Sequence, residues 1–322
     1  MLCSLLIACT EDDTIDGKSK DAVYDEAVEH LERGELHEAY TKFKKLGDYL
    51  DSEDFLASFH YVPKSTSLYL DGSGEPLFSS TVLYNANHLP MKATVSDGSR
   101  ESSYEYKYNS DGALIERVAR VLGQTYVTTY NCSGIIRVSE TELFPDGSTL
   151  EAEYTYNNDY LVEEIVYTTT NIREPEDGST ETPEPDVSTY TVTFEYDSKG
   201  RLIKETSGEG ESATLVEYTY DGKGNVTKYT YSSADKKNVY YSIATTYDSN
   251  DQPTKKVITQ SGEQIVYTFT YNSDLTEVNV AGSLSDGSKI SGKVEYDLVY
   301  INLSVTNAHI KDILQDVTFI ME

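Results

Sequence analysis

The stretch "TFEYDSKGRLIKET", Thr193 to Thr206, reads as strand, turn, strand. Phe194 and Tyr196 alternate with polar residues, an Asp-x-x-Gly segment supplies the turn, and Leu202 and Ile203 carry the chain back out. A near copy, "VEYTYDGKGNVTKYTY" from Val216 to Tyr231, follows at once. One such hairpin is marginal in water; a long series of them must share a core.

Working outward, Tyr-Asp or Tyr-Asn dipeptides begin at Tyr84, Tyr108, Tyr130, Tyr156, Tyr196, Tyr220, Tyr247, Tyr271 and Tyr296, at successive spacings of 24, 22, 26, 40, 24, 27, 24 and 25. The long interval holds an insertion, and an imperfect leading copy, "YLDGSGEPL" from Tyr69, caps the array. The turn positions stand out at Tyr108, Asn109 and Gly112, at Tyr196, Asp197 and Gly200, and at Tyr220, Asp221 and Gly224. Tyr160 and Asp251 occupy the glycine's place in two other copies.

Midway between these turns lies a second set: Ser96–Ser99, Pro145–Ser148, Gly208–Glu211, Ser261–Glu263 and Ser285–Ser288. Their Asp-Gly and Gly residues supply the positive φ that tight hairpins need. Each period is therefore two strands, and the whole is an up-and-down antiparallel meander of about eighteen strands.

Alternation says which face is dry. Tyr190, Val192, Phe194 and Tyr196 share one face, as do Ile265, Tyr267, Phe269 and Tyr271; Tyr104, Tyr106 and Tyr108 begin the same ladder earlier. A sheet this wide with one apolar face must curl or close. The expectation is a mainly β protein whose repeats coil into a continuous rolled sheet or barrel-like shell around one water-free interior. Barrel, two-layered roll and spiral shell remain open.

Composition fits. There are 28 Tyr and no Trp, and apolar residues make up only 38%, which suits strands with one wet face. Lys plus Arg is 26 against 55 Asp plus Glu, a net charge of −29 that argues against a nucleic-acid partner.

Residues 20–60 differ in kind. Ala22, Val23, Ala27, Val28 and Leu31 recur at helical spacing, Gly34 breaks the pattern, and Leu36, Ala39, Tyr40, Phe43 and Leu46 line a second helix that ends at Gly47. A third begins near Asp51 or Ser52. The expectation is a small N-terminal helical cap. "GELHEAYTKFKKL", Gly34 to Leu46, resembles the second half of a tetratricopeptide repeat, with Gly34, Ala39 and Phe43 in that family's small, small and aromatic slots. One and a half units are too few for a binding groove, which makes this segment a cap or docking piece.

Three further resemblances bear on function. The Tyr-Asp-x-x-Gly-x-Leu pattern, best at Tyr196–Leu202 and Tyr220–Val226, resembles the YD repeat of the RHS family, whose members wind hairpins into shells. Some of those shells enclose a toxin; this chain has no length for such cargo, and encapsulation is not implied. The MORN repeat is a weaker match, since its Gly-Trp-rich core is missing. "MLCSLLIAC" followed by "TEDD" resembles the end of a bacterial lipoprotein signal peptide, which implies lipidation at Cys9, residues 1–19 as signal remnant and tether, and an acidic export signal to the outer surface.

Residues 61–322 then form the repeat domain, with Thr168–Thr189 a mobile, Pro- and Glu-rich outward loop and "DVTFIM" near the end a closing strand. Cys132 falls in a turn, with no activating His nearby. His30, His37, His60, His88 and His309 form no metal or catalytic spacing, and Asp71–Glu75 is too short for a calcium loop. No cofactor and no metal are expected. The sequence favours a non-catalytic envelope lipoprotein, held to the membrane by its lipid alone, whose β-repeat surface binds glycan or protein. An envelope scaffold docking partners through its helices is the alternative, and a hydrolase ranks third.

Overall fold

The computed structural model describes residues 14–86, 89–173 and 184–300. The Cys9 tether, the core of the insertion and the closing strand "DVTFIM" lie outside the described residues. A two-stranded ribbon, β1 (Thr14–Ile15) and β2 (Lys18–Ser19), leads into α1 (Lys20–Glu32), α2 (Leu36–Leu46) and α3 (Ser52–Leu56). Ser19 caps α1 by accepting from the Ala22 N–H, and Gly34 and Gly47 take positive φ where α1 and α2 stop. Asp51 stands at the N-cap of α3, yet its carboxylate accepts from the Tyr24 hydroxyl and not from the helix.

Eighteen antiparallel strands follow, each paired with its sequence neighbours, and the last, β20 (Lys289–Tyr300), pairs with the first, β3 (Phe59–Leu70), to close a barrel. Closure settles the alternatives left by the sequence: the meander is neither an open roll nor a spiral. The repeat turns lie at one rim. The second set lies at the other, where Leu122–Gly123 and Ser261–Gly262 form two-residue turns with positive φ at both positions.

Register corrects four readings. In six copies the repeat tyrosine sits at a β-bulge opposite the residue that restarts the next strand, as Tyr108 does against Leu114 and Tyr220 against Val226. In β8 (Gln124–Ser133) the bulged residue is Cys132, opposite Arg137, and Tyr130 is two positions early. With Cys132 in the column, the irregular spacings of 22 and 26 become 132 − 108 = 24 and 156 − 132 = 24. Cys132 is therefore a strand residue in a tyrosine's slot, and the turn proper is Gly134–Ile135.

Tyr296 keeps the bulge, opposite Pro63, but makes no turn: β20 runs on to Tyr300 beside Phe59. The seam is thus a repeat hairpin left uncut by any turn, whose two arms overshoot the rim. The leading copy from Tyr69 also fails as a repeat, since its turn lies at the opposite rim, between β3 and β4 (Phe78–Tyr84).

The overshooting arms hold the helices. Phe59 and Leu298 pack with Val23, Ala27, Ala39, Phe43 and Leu46, and Phe43 stacks on Phe55 at 4.6 Å. Away from the helices most buried side chains lie on the concave side, while Leu215 and its cross-strand neighbour Ser232 are buried on the opposite face. The barrel's buried residues form separate clusters and not one core; Val62 and Val299 make a small one, and two are larger. One gathers Leu68, Tyr267, Phe269, Val278, Val280, Ile290 and Val294 around the seam; the other gathers Val82, Ala93, Tyr106, Leu114 and Tyr130. Barrels of this strand number are too wide to be filled by side chains.

Candidate functional site

At the repeat rim, each turn is built on its Asx side chain. The Asp197 Oδ1 accepts from the N–H groups of Lys199 and Arg201 at 2.9 and 3.0 Å, and Asn109 and Asp221 repeat the arrangement over Asp111–Ala113 and Lys223–Asn225. Hydrogen bonds and the ion pair with Arg201 hold the Asp197 carboxyl down to about 2. Gly112, Gly200 and Gly224 adopt φ of 83°, 75° and 103°, and Tyr160 and Asp251, in the same place, adopt 59° and 64°. The turn imposes the left-handed conformation whatever residue is present.

The tyrosines link neighbouring turns. The hydroxyls of Tyr84, Tyr108, Tyr156, Tyr196, Tyr220 and Tyr247 donate to the carbonyls of Pro63, Pro90, Arg137, Val162, Leu202 and Val226, at 2.6 to 2.9 Å. Cys132 reaches the matching carbonyl of Leu114 through sulfur, at 3.7 Å. Tyr271 breaks the series: its turn runs one residue longer, from Asn272 to Glu277, and its buried hydroxyl finds no partner. These positions, chosen from sequence as turn markers, fasten one hairpin to the next.

The concave face carries the chemistry. Along the arc from β9 (Ile136–Leu143) to β16 (Val239–Tyr247), aromatic rings are half-buried and reachable by water, unlike those at the seam. Tyr229 stacks on Tyr241 and meets Tyr218 edge-on, both at 5.4 Å, and the Tyr218 hydroxyl donates to Glu205 at 2.5 Å. Burial, reinforced by that carboxylate, pushes the Tyr218 hydroxyl well above its usual range. Further round, the Arg137 guanidinium lies 4.4 Å from the Tyr130 ring centre and pairs with Glu140 at 3.0 Å, and the Tyr154 hydroxyl donates to the same carboxylate. With Arg137 and Glu140 side chains only 10% and 20% exposed, this pair is screened by solvent less than a surface ion pair. Sequence reasoning missed it, because Arg137 and Glu140 look like ordinary alternating polar residues. The one available signal was the 24-residue spacing, which puts Cys132 in register and Arg137 opposite it.

The convex face is polar. Lys107–Glu116, Arg120–Glu105, Lys204–Glu195 and Lys293–Glu277 pair across it, among exposed Thr residues. A barrel that spans a bilayer shows lipid an apolar belt; here the alternation is the other way round. No helix is long and apolar enough to cross a membrane, and no cluster of three potential metal ligands occurs, among the described residues.

Beside the helices, a groove of 480 Å³ runs between α2 and the Asn272–Glu277 turn, lined by His37, Tyr40, Lys44, Tyr61 and Asp274. The Tyr61 hydroxyl donates to the Asp274 carbonyl at 3.2 Å across it.

Fold and site together define a class: a closed barrel of tandem tyrosine-turn hairpins with an aromatic, charged lumen. Residues 196–236 match the RHS Repeat family, so the chain carries a YD-type repeat in that stretch. No curated protein matches the sequence. Solved structures similar to it include a porin-like protein from Bacteroides uniformis, at 11% identity and a TM-score of 0.37, with 74% of this chain and 96% of that one covered. A porin-like protein from Bacteroides vulgatus matches at 11% identity and a TM-score of 0.29, covering 76% and 100%. The Photorhabdus luminescens Tc holotoxin pore matches at 12% and 0.22, covering 70% of this chain and 16% of that one. Scores this low carry no argument about what this chain does.

Proposed function

We propose that the protein is a non-catalytic, lipid-anchored protein of the outer cell surface that binds glycan on the aromatic arc of its barrel. The observation that carries this reading is the row of half-buried Tyr218, Tyr229 and Tyr241 beside Glu205. Tyrosine faces stack on sugar rings, and neighbouring carboxylates accept from sugar hydroxyls. The polar convex face supports attachment through a lipid at Cys9 and not through the barrel wall. A glycan array on the full chain, repeated with Tyr229→Ala, tests it: a sugar class retained by the wild type and lost in the variant is expected, and an array blank for both refutes it. Turnover of any bound polysaccharide would refute the non-catalytic part. Cys9→Ala should move the protein from the membrane to the aqueous fraction.

A second reading, a scaffold that docks an envelope protein, draws support from the 480 Å³ groove beside α2. Crosslinking through Lys44 distinguishes the two: one retained partner, with no sugar bound, favours the scaffold.

A further inference from the structure

β12 (Asp186–Tyr196) is longer than the strand that follows it. It pairs with β11 (Val162–Asn171) from Asp186↔Asn171 to Thr193↔Glu164. On its other side, β13 (Leu202–Ser207) pairs only as far as Val192↔Ser207. The Gly208 N–H donates to the Thr191 carbonyl at 2.9 Å, and the chain then turns away through Glu209 into a short 3₁₀ turn, Gly210–Ser212. Asp186 to Tyr190 therefore have no strand partner on their β13 side.

The direction of the edge groups follows from that last bond. Backbone N–H and C=O groups alternate sides along an antiparallel strand. Since Thr191 faces β13, Thr189 and Val187 face the same way, and among the described residues neither has a backbone partner there. Asp186 through Tyr190 are all exposed, Val187 at 59% and Tyr190 at 42%. Edge strands are ordinarily blunted by Lys, by Pro within the strand, or by a covering loop. Here Val187, Ser188, Thr189 and Tyr190 include no Lys and no Pro, and all but Ser188 favour strands.

We infer that this edge accepts an extended, basic segment of another protein as an added strand, continuing the line of β13. Main-chain bonds to Val187 and Thr189 supply the affinity. Charge selects the partner: Glu184, Asp186 and Glu209 flank the slot, and Asp186 is partly offset by Arg173 at 3.1 Å. A second copy fits the register, with Val187 opposite Thr189, but it brings the same carboxylates and a further net charge of −29 to a contact five residues long.

The probe is the peptide Lys-Val-Thr-Val-Thr-Val-Lys, blocked at both ends and offered to the full chain. At saturation, hydrogen exchange at the Val187 and Thr189 amides should slow at least tenfold, while Ser188, whose amide faces β11, stays unchanged. N-methylation of alternate peptide residues, or Thr189→Pro in the protein, should each weaken binding at least tenfold. Because Thr189 donates nothing to β11, the proline leaves the barrel's own ladder whole; Val187→Lys serves as a second variant should it misfold. Equal binding by the N-methylated peptide overturns the inference. So does equal binding by the analogue with Glu at both ends. Unprotected edge amides overturn it too, and a wild-type dimer that Thr189→Pro converts to monomer would name a second copy as the occupant.

Discussion

Two tyrosine-to-phenylalanine changes, identical in chemistry, should have opposite consequences. The Tyr220 hydroxyl donates to the Leu202 carbonyl at 2.6 Å and so ties one hairpin to the next. Removing it forfeits one intramolecular hydrogen bond, about 1 kcal/mol net, and leaves a half-buried carbonyl short of a donor. The Tyr271 hydroxyl is buried without a partner, because the Asn272–Glu277 turn is one residue longer than the others. Its removal relieves a desolvated group and should be neutral or stabilising by up to about 1 kcal/mol. Urea unfolding followed by circular dichroism measures both, with the slope unchanged if only stability moves. The expected gap between Tyr220→Phe and Tyr271→Phe is about 1 to 2 kcal/mol, in the direction stated. Equal midpoints would refute the claim that the hydroxyl ladder fastens the repeats.

Gly292→Ala should open the seam, since a Cβ there would lie 2.2 Å from the Ser67 carbonyl oxygen; a loss of about 1–3 kcal/mol is expected, with exchange at β3 amides rising first. Tyr160→Gly should raise stability by up to about 1 kcal/mol, because exposed Tyr160 is held at φ 59° in a glycine position; an unchanged melting temperature would count against strain there. Alkaline titration should be abrupt. Burial raises Tyr108 and Tyr154 well above 10 and Tyr130 to about 12, so the fold disfavours their ionised forms. Their contribution is complete below the unfolded value near 10 and is lost as pH rises through the native ones, so phenolate absorbance should appear late, together with unfolding. A smooth titration of all 28 tyrosines near pH 10 would contradict this.

The strand count, the meander and the two sets of turns were legible because strand periodicity and turn chemistry are local. Closure was not, since it depends on how Lys289–Tyr300 meets Phe59–Leu70, a pairing that no local pattern encodes. Reading Tyr130 for Cys132 has the same root: the eye follows residue type, while the bulge follows spacing. A single interior was expected from alternation, yet alternation reports which face is buried and says nothing of the barrel's width. The inner Arg137–Glu140 pair was hidden for a related reason, as a charge on a strand reads as a wet face until curvature turns it inward.

The pairing of the first wall strand with the last has a consequence for biosynthesis. While the ribosome is still working, seventeen strands can hang together as an open curtain whose leading selvage, Phe59–Leu70, waits for a mate not yet made. Only the release of Lys289–Tyr300 ends that wait. A nascent chain stalled before this point would expose raw margins to every other stalled chain, so any mutation that slows synthesis of Lys289–Tyr300 threatens yield more than one of equal size placed mid-array.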